Sequence, residues 1–207
     1  LSSGTGSGIT SDAEADGEWQ EWRHKQTYLT RASQSFQILE TLALQDGVLR
    51  HESAHLQRMQ SSARHFGFAW RPDSVSAALA AVCHQHPTGN WRVRLLLDTN
   101  RQLQAQAFSL ADTAEPVRLQ LATLPLAQAR SEFVRHKTTR REHYDAFAPD
   151  DPTVFDTVLW NEQGEITECT RGNLAMLLDG QWVTPTLHSG LLPGIGRAHW
   201  LAQGRIA

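Results

Sequence analysis

Along residues 36–49 an apolar, strand-like run, Phe36–Leu44, is closed by Gln45-Asp46-Gly47, after which Val48-Leu49 returns. This predicts a β-hairpin, because Asp-Gly readily adopts the backbone of a tight turn. Over Glu52–Phe66 the period lengthens: Leu56, Met59, Ala63 and Phe66 recur at helical spacing, and Gly67 supplies the stop. A second helix follows Pro72-Asp73 with Val75, Leu79 and Val82 on its inner face, and Pro87-Thr-Gly-Asn90 breaks it. Trp91–Leu97 then alternates Trp, Val and Leu with Arg92 and Arg94, as a half-buried strand does. Leu103–Phe108 and Val117–Leu124 alternate in the same way. Two more hairpins follow. Thr157–Trp160 turns through Asn161–Gly164 into Glu165–Glu168, and Leu174–Leu178 turns at Asp179-Gly180 into Trp182–Thr184. Arg197–Gln203 predicts a last helix ended by Gly204. Hairpins with an inserted helix pair predict an α+β fold.

The first 35 residues have a different texture. Residues 1–17 are polar and Gly-rich, residues 18–29 read as a short amphipathic helix with Trp19 and Trp22 on one side, and residues 30–35 read as a linker. The absence of an initiator Met, the Gly/Ser-rich start and the stop soon after Gly204 lead us to expect a piece of a longer polypeptide.

Composition narrows the class. The chain is 40% hydrophobic and 20% charged with a formal net charge of −3, an ordinary globular balance. Lys and Arg are scattered, which argues against a nucleic-acid footprint. No apolar run reaches the roughly 18 residues of a membrane span, and no signal peptide is visible. Cys83 and Cys169 lie far apart and suggest a reducing compartment, so a cytoplasmic location is expected.

Taken singly, the candidate chemical residues are unremarkable. Lys137 reads as a solvated lysine, Glu168 as an edge carboxylate, Arg58 as a surface arginine lying over apolar neighbours, and Gly190–Arg197 as a loop before a helix. Cys83-His84-Gln-His86 lacks the second pair of ligands that a metal site needs. Together, however, the chain offers what a pyridoxal-phosphate site requires: a lysine, an acid for the pyridinium nitrogen, and a Gly-rich turn into a helix whose N–H groups favour a phosphate.

Specific stretches carry a resemblance. Glu40-Thr-Leu, Asp46-Gly47, His55-Leu-Gln-Arg58, Ser62-Ala63 and Phe66-Gly-Phe68 are similar to the N-terminal half of the class IV aminotransferase family. Lys137-Thr-Thr-Arg140, Gly164–Thr170, Asn173-Leu174, Thr184-Pro185 and Gly190–Arg197 are similar to its later part. That family includes branched-chain and D-amino acid aminotransferases and aminodeoxychorismate lyase. Over residues 36–207 the resemblance implies two α/β subdomains of the D-amino acid aminotransferase type, incomplete at the C-terminus, and a homodimer. It implies Lys137 as the Schiff-base lysine, Glu168 as partner of the pyridinium nitrogen, and Arg58 with the backbone of Ile195 and Gly196 around the phosphate. Asn173 and Tyr144 are further candidates for cofactor contacts. Many transaminases carry a hydroxyl residue at the position of Gly196, so one phosphate contact is expected to be missing here.

Gly4–Thr10, Asp12, Glu18-Trp-Gln-Glu21 and Lys25 resemble the end of the chorismate-binding fold. By that resemblance Glu21, and after it Glu18, would hold magnesium in a synthase domain of which residues 1–29 are the remnant. A glutamine amidotransferase subunit would then be a possible ammonia source. The joint implication is a bifunctional synthase–lyase of folate biosynthesis that turns 4-amino-4-deoxychorismate into 4-aminobenzoate and pyruvate. A transaminase of branched-chain or D-amino acids shares every cofactor residue, and a silent interaction module of the synthase is the alternative outside enzymes.

Overall fold

A computed structural model describes residues 34–207. The proposed chorismate-domain remnant and the linker to residue 33, with Glu18 and Glu21, lie outside the described residues. Gln37–Ala207 form one compact unit.

The first half of that unit is a four-stranded antiparallel sheet in the order β2-β1-β3-β4. Its strands are β1 (Ile38–Gln45), β2 (Val48–Leu49), β3 (Asn90–Leu97) and β4 (Leu103–Ser109). Asp46 and Gly47 both take positive φ, 48° and 78°, as the predicted hairpin turn requires. Helices α1 (Glu52–Phe66) and α2 (Pro72–Gln85) cover one face of the sheet, α1 over β1 and α2 over β4. The core between them is apolar: Leu42, Leu44, Met59, Ala63, Val75, Leu79, Val93 and Leu95 are buried.

The inner stripe of α1 differs from the one its apolar residues predict. Leu56 and Phe66 are half-buried, while His55 and Ser62 join Met59 and Ala63 inside. Partners explain the rotation: His55 meets Glu40 of β1 at 2.7 Å, and the Ser62 hydroxyl meets His136 Nδ1 at 2.9 Å. A buried polar group with a partner avoids the cost that would otherwise exclude it.

In the second half, β5 (Leu119–Leu121) pairs in parallel with β6 (Asp156–Trp160), which pairs antiparallel with β7 (Ile166–Cys169). The strand expected over Val117–Leu124 is thus shorter, and all three of its residues are exposed. It is paired on β6 alone. Burial begins just beyond it, where Ala122 N–H donates to Val158 O and Ala122 and Leu126 enter the core. That core also holds Val134, from the one-turn helix α3 (Glu132–Arg135), Tyr144, from the 3-10 turn Glu142–Phe147, and Leu159. The short ribbon β8 (Met176–Leu178) and β9 (Gln181–Val183) precedes helix α4 (Ile195–Ala202).

The halves are joined through β1. At the far end of its outer edge β2 pairs with Leu44–Gln45. At the near end the segment after α3 takes over: Leu39 N–H donates to Lys137 O at 3.0 Å and Thr139 N–H to Gln37 O at 2.9 Å. Ile38 and Thr138 face each other there, and both are buried.

Candidate active site

Residues read as candidates from the sequence line one cavity of about 660 Å³: Arg58, Lys137, Tyr144, Glu168, Asn173, Ile195 and Gly196. Lys137 comes from the segment clipped to β1, Glu168 from the inner register of β7, and Arg58 from the cavity side of α1. Ile195 and Gly196 open α4, whose first N–H groups have no carbonyl a turn earlier to bind.

The lysine sits in a charged but dry setting. Burial lowers the Lys137 pKa from the usual lysine value, and the Arg58 charge lowers it further, against the opposing pull of Glu40 and Glu168. This favours the neutral amine, the form that reacts with carbonyls and takes protons.

Glu168 is 3% exposed and held by three donors. Tyr144 Oη donates to Oε1 at 2.7 Å, while Asn173 Nδ2 and Leu192 N–H each donate to Oε2 at 3.2 Å. Tyr144 and Asn173 therefore reach the cavity as partners of Glu168. Burial pushes the Glu168 carboxyl up to about 7, although Tyr144, Leu192, Arg141 and Lys137 all favour its charged form. The neighbouring Tyr144 hydroxyl is raised by its own burial and by the adjacent carboxylate.

The loop after β7 is fixed from behind. Buried Asp156 accepts the backbone N–H and hydroxyl of Thr170 on Oδ1 and the N–H of Arg171 on Oδ2. Thr170 O in turn accepts Arg141 Nη2, and the Arg141 guanidinium lies 4.6 Å from the centre of the Tyr144 ring. The Asp156 carboxylate thus positions Thr170 and Arg171, the turn that follows Glu168 and Cys169.

The turn into α4 leaves no room for side chains at two places. A Cβ on Gly194 would lie 1.7 Å from Asn173 Oδ1, and one on Gly190 would lie 2.3 Å from Ala129 O. At Gly196, by contrast, a Cβ would meet nothing within 4 Å. Gly194 thus lets the turn pack against Asn173, and at Gly196, where many transaminases carry a hydroxyl residue, the space is open.

These features fit a pyridine ring bearing a phosphate. Arg58 and the start of α4 form the cationic end, buried Glu168 can face a ring nitrogen, and Lys137 lines the same cavity. Among the described residues no group of three or more His, Cys, Asp or Glu is placed to hold a metal, and no helix is long and apolar enough to cross a membrane.

Two site residues escaped the sequence reading. Glu40 appears there only within a motif, yet it is the buried carboxylate that holds Arg58 and His55. Its signal was present: Ile38, Glu40, Leu42 and Leu44 share one face of β1, and an acid in an apolar row needs cationic partners. Arg141 gave no signal separable from that of Arg140 beside it.

Residues 37–205 match the family model described as class IV amino-transferase. A Schizosaccharomyces pombe protein provisionally named aminodeoxychorismate lyase is 32% identical over 174 residues, covering 82% of this chain and 74% of that protein. Among solved structures, a Mesorhizobium loti protein provisionally named amino-acid aminotransferase superposes with a TM-score of 0.75 at 34% identity, over 83% of this chain and 85% of that one. The 4-amino-4-deoxychorismate lyase of Pseudomonas aeruginosa superposes with a TM-score of 0.64 at 18% identity, over 83% and 72%, a likeness of fold.

Proposed function

Because the chain belongs to the class IV amino-transferase family, we propose that it is a pyridoxal-phosphate lyase converting 4-amino-4-deoxychorismate to 4-aminobenzoate and pyruvate. The observation that carries the substrate choice is the charge of the cavity. Arg58, Lys137, Arg141, Arg171, Arg197 and Arg205 line it, and Glu168 is the one carboxylate among its lining residues. Glu40 offsets Arg58, which leaves an excess of cations that suits a substrate with two carboxylates better than an apolar amino acid. The similarity to the Schizosaccharomyces pombe protein supports the same reading.

Pyridoxal phosphate, when bound, supplies a carbonyl for an amine and a sink for the electrons left by proton removal. Lys137 is the residue that would hold the group, through its side-chain amine. The Lys137 amine would also be the base for the proton on the ring carbon that bears the substrate nitrogen. Lys137 next returns a proton to the methylene carbon of the departing enolpyruvyl group, so pyruvate leaves as the ring becomes aromatic. Glu168 holds the proton on the pyridine nitrogen, and a cationic nitrogen opposite it favours the carboxylate form. Arg58 and the first N–H groups of α4 bind the phosphate.

A second reading, a transaminase, is favoured by the Mesorhizobium loti structure. One experiment separates the two. Borohydride reduction in the presence of pyridoxal phosphate should label Lys137, and 4-amino-4-deoxychorismate should then give 4-aminobenzoate and pyruvate in equal amounts. Amino transfer to a keto acid without pyruvate release overturns the lyase reading, and labelling of another lysine overturns the site.

The reading extends beyond the described residues. On the sequence resemblance alone, residues 1–29 end a chorismate-binding synthase domain in which Glu21 and Glu18 serve magnesium. A glutamine amidotransferase partner, a homodimer and a cytoplasmic location belong to the same proposal.

A further inference from the structure

Glu40 has no part in the chemistry above, yet it is the most constrained carboxylate beside the cavity. Strand alternation places it in the buried row of β1, 1% exposed. Arg58 Nε donates to its Oε1 at 2.7 Å and Arg58 Nη2 to its Oε2 at 2.8 Å, a two-pronged contact that fixes the plane of the guanidinium. His55 Nδ1 lies 2.7 Å from the same Oε2. The remaining terminal nitrogen, Nη1, donates to Pro193 O at 2.9 Å, on the residue before the Gly194 cap of α4. Arg58 is therefore held on one edge by the sheet and on the other by the loop that feeds α4. With five N–H groups in all, it keeps one free on each terminal nitrogen. His55 and Arg58, i and i+3 on α1, both line the cavity that α4 opens into.

We propose that Glu40 is a positioning residue for the anion end of this cavity. It aims the spare N–H groups of Arg58, with His55 beside them, at the group seated on the start of α4, so that a phosphate ester is preferred to the free alcohol. The inference rests on the cofactor reading of the site and adds a determinant to it. Two consequences of the Glu40 charge compete. Its negative charge offsets that of Arg58 and so weakens attraction for an anion, whereas its two contacts hold Arg58 in place. At hydrogen-bonding range in a dry site, orientation outweighs bare charge, because a guanidinium that swings away donates nothing.

The test compares binding of pyridoxal 5'-phosphate and of pyridoxal to the full chain, as the ratio of the two dissociation constants. A general loss of folding weakens both ligands, so the ratio isolates the phosphate contact. Glu40→Gln should lower the preference for the phosphate form by roughly 10-fold or more, the size seen when the partner orienting a ligating group is removed. Glu40→Asp keeps the charge but withdraws it by one methylene, and it should also lower the preference should the Gln variant fail to fold. In an Arg58→Gln background, Glu40→Gln should change the ratio less than 2-fold, because nothing remains to be aimed. An unchanged or increased preference in Glu40→Gln or Glu40→Asp overturns the proposal and makes Glu40 a simple charge partner. A wild-type chain with no preference for the phosphate form overturns the cofactor reading as well.

Discussion

Glu40 and Glu168 are both almost fully buried beside one cavity, yet they are held in opposite ways. Glu40, between β1 and α1, faces the Arg58 guanidinium twice and the His55 ring once. Glu168, on β7, faces a phenol, an amide and a backbone N–H. Burial pushes both carboxyls up. For Glu40 the hydrogen bonds from His55 and Arg58 more than reverse this and leave it below the usual carboxylate value, whereas Glu168 stays up near 7. The same desolvation thus yields a fixed anion on one wall and a titratable acid on the other. Partner chemistry, not depth, decides which. An anion that stays charged suits the holding of Arg58, and a carboxyl raised by burial is one that a cationic ring nitrogen opposite it would bring back to the carboxylate form.

Removing the charge from each should break this comparison in opposite directions. Glu168→Gln keeps the size of the side chain but cannot hold the ring-nitrogen proton, and turnover should fall by about 10³-fold in a steady-state assay. The cofactor-free variant should nevertheless be the more stable protein at pH 8. A carboxyl whose folded pKa is raised contributes stability below its unfolded value of about 4.3 and loses it as pH rises through about 7. A shift of that size is worth roughly 3 kcal/mol. Glutamine should recover on the order of 2 kcal/mol of it, since with its oxygen toward Asn173 and Leu192 its amide nitrogen cannot accept from Tyr144. Urea melts of wild type and variant at pH 5 and pH 8 read this, and equal stability at pH 8 would show that Glu168 is not strained by burial.

Glu40→Gln should do the reverse. A carboxylate with a depressed folded pKa contributes stability above about pH 4.3 and loses it as pH falls through the folded value. Neutralising it leaves Arg58 charged and half-buried without its partner, at a cost of about 3–5 kcal/mol at pH 8. The same melts give the number, and a loss below about 1 kcal/mol would mean that solvent reaches Arg58.

The smallest change sharpens the comparison. Tyr144→Phe removes one donor that favours the charged form of Glu168, so the carboxyl should move up by about one pH unit, the worth of one hydrogen bond. Carbon-13 NMR of labelled glutamate reads this directly, and the Glu40 signal should stay where it is.

The sequence carried most of the elements and only part of the site. Asp46-Gly47, Gly67 and Asp179-Gly180 are punctuation that any pass along the chain can read, and the hairpins and α1 begin and end around them. Lys137, Glu168, Arg58 and the start of α4 were legible as members of one pattern. The inner stripe of α1 was not, because His55 and Ser62 are buried by partners from β1 and from the segment after α3, and helical periodicity contains neither. Tyr144 was legible as a neighbour of the site. Its attachment to Glu168 depends on how the 3-10 turn packs against β7, a contact 24 residues away along the chain. The short, exposed β5 was misjudged because alternation marks a pleat and does not say whether anything covers it.

The clip that carries Lys137 also sets an order of assembly. The bond from Gln37 N–H to Thr139 Oγ1 closes a span of 102 residues, and the neighbouring bonds from Leu39 and to Gln37 close spans of similar length. A growing chain that has completed the first sheet already possesses Glu40, His55 and Arg58, but the near edge of β1 stays open until the lysine segment emerges. From Ser109, the end of β4, to Thr139 is 30 residues, so at about 5–20 residues per second that wait is roughly 2–6 s. The Arg58 side of the anion end can thus be folded on the ribosome before the chain owns the amine that would react there, while Pro193 and the start of α4 follow that amine. During that interval the edge of β1 at Gln37 and Leu39 lacks the partner it has in the finished fold, and an open strand edge is a template for pairing with another chain.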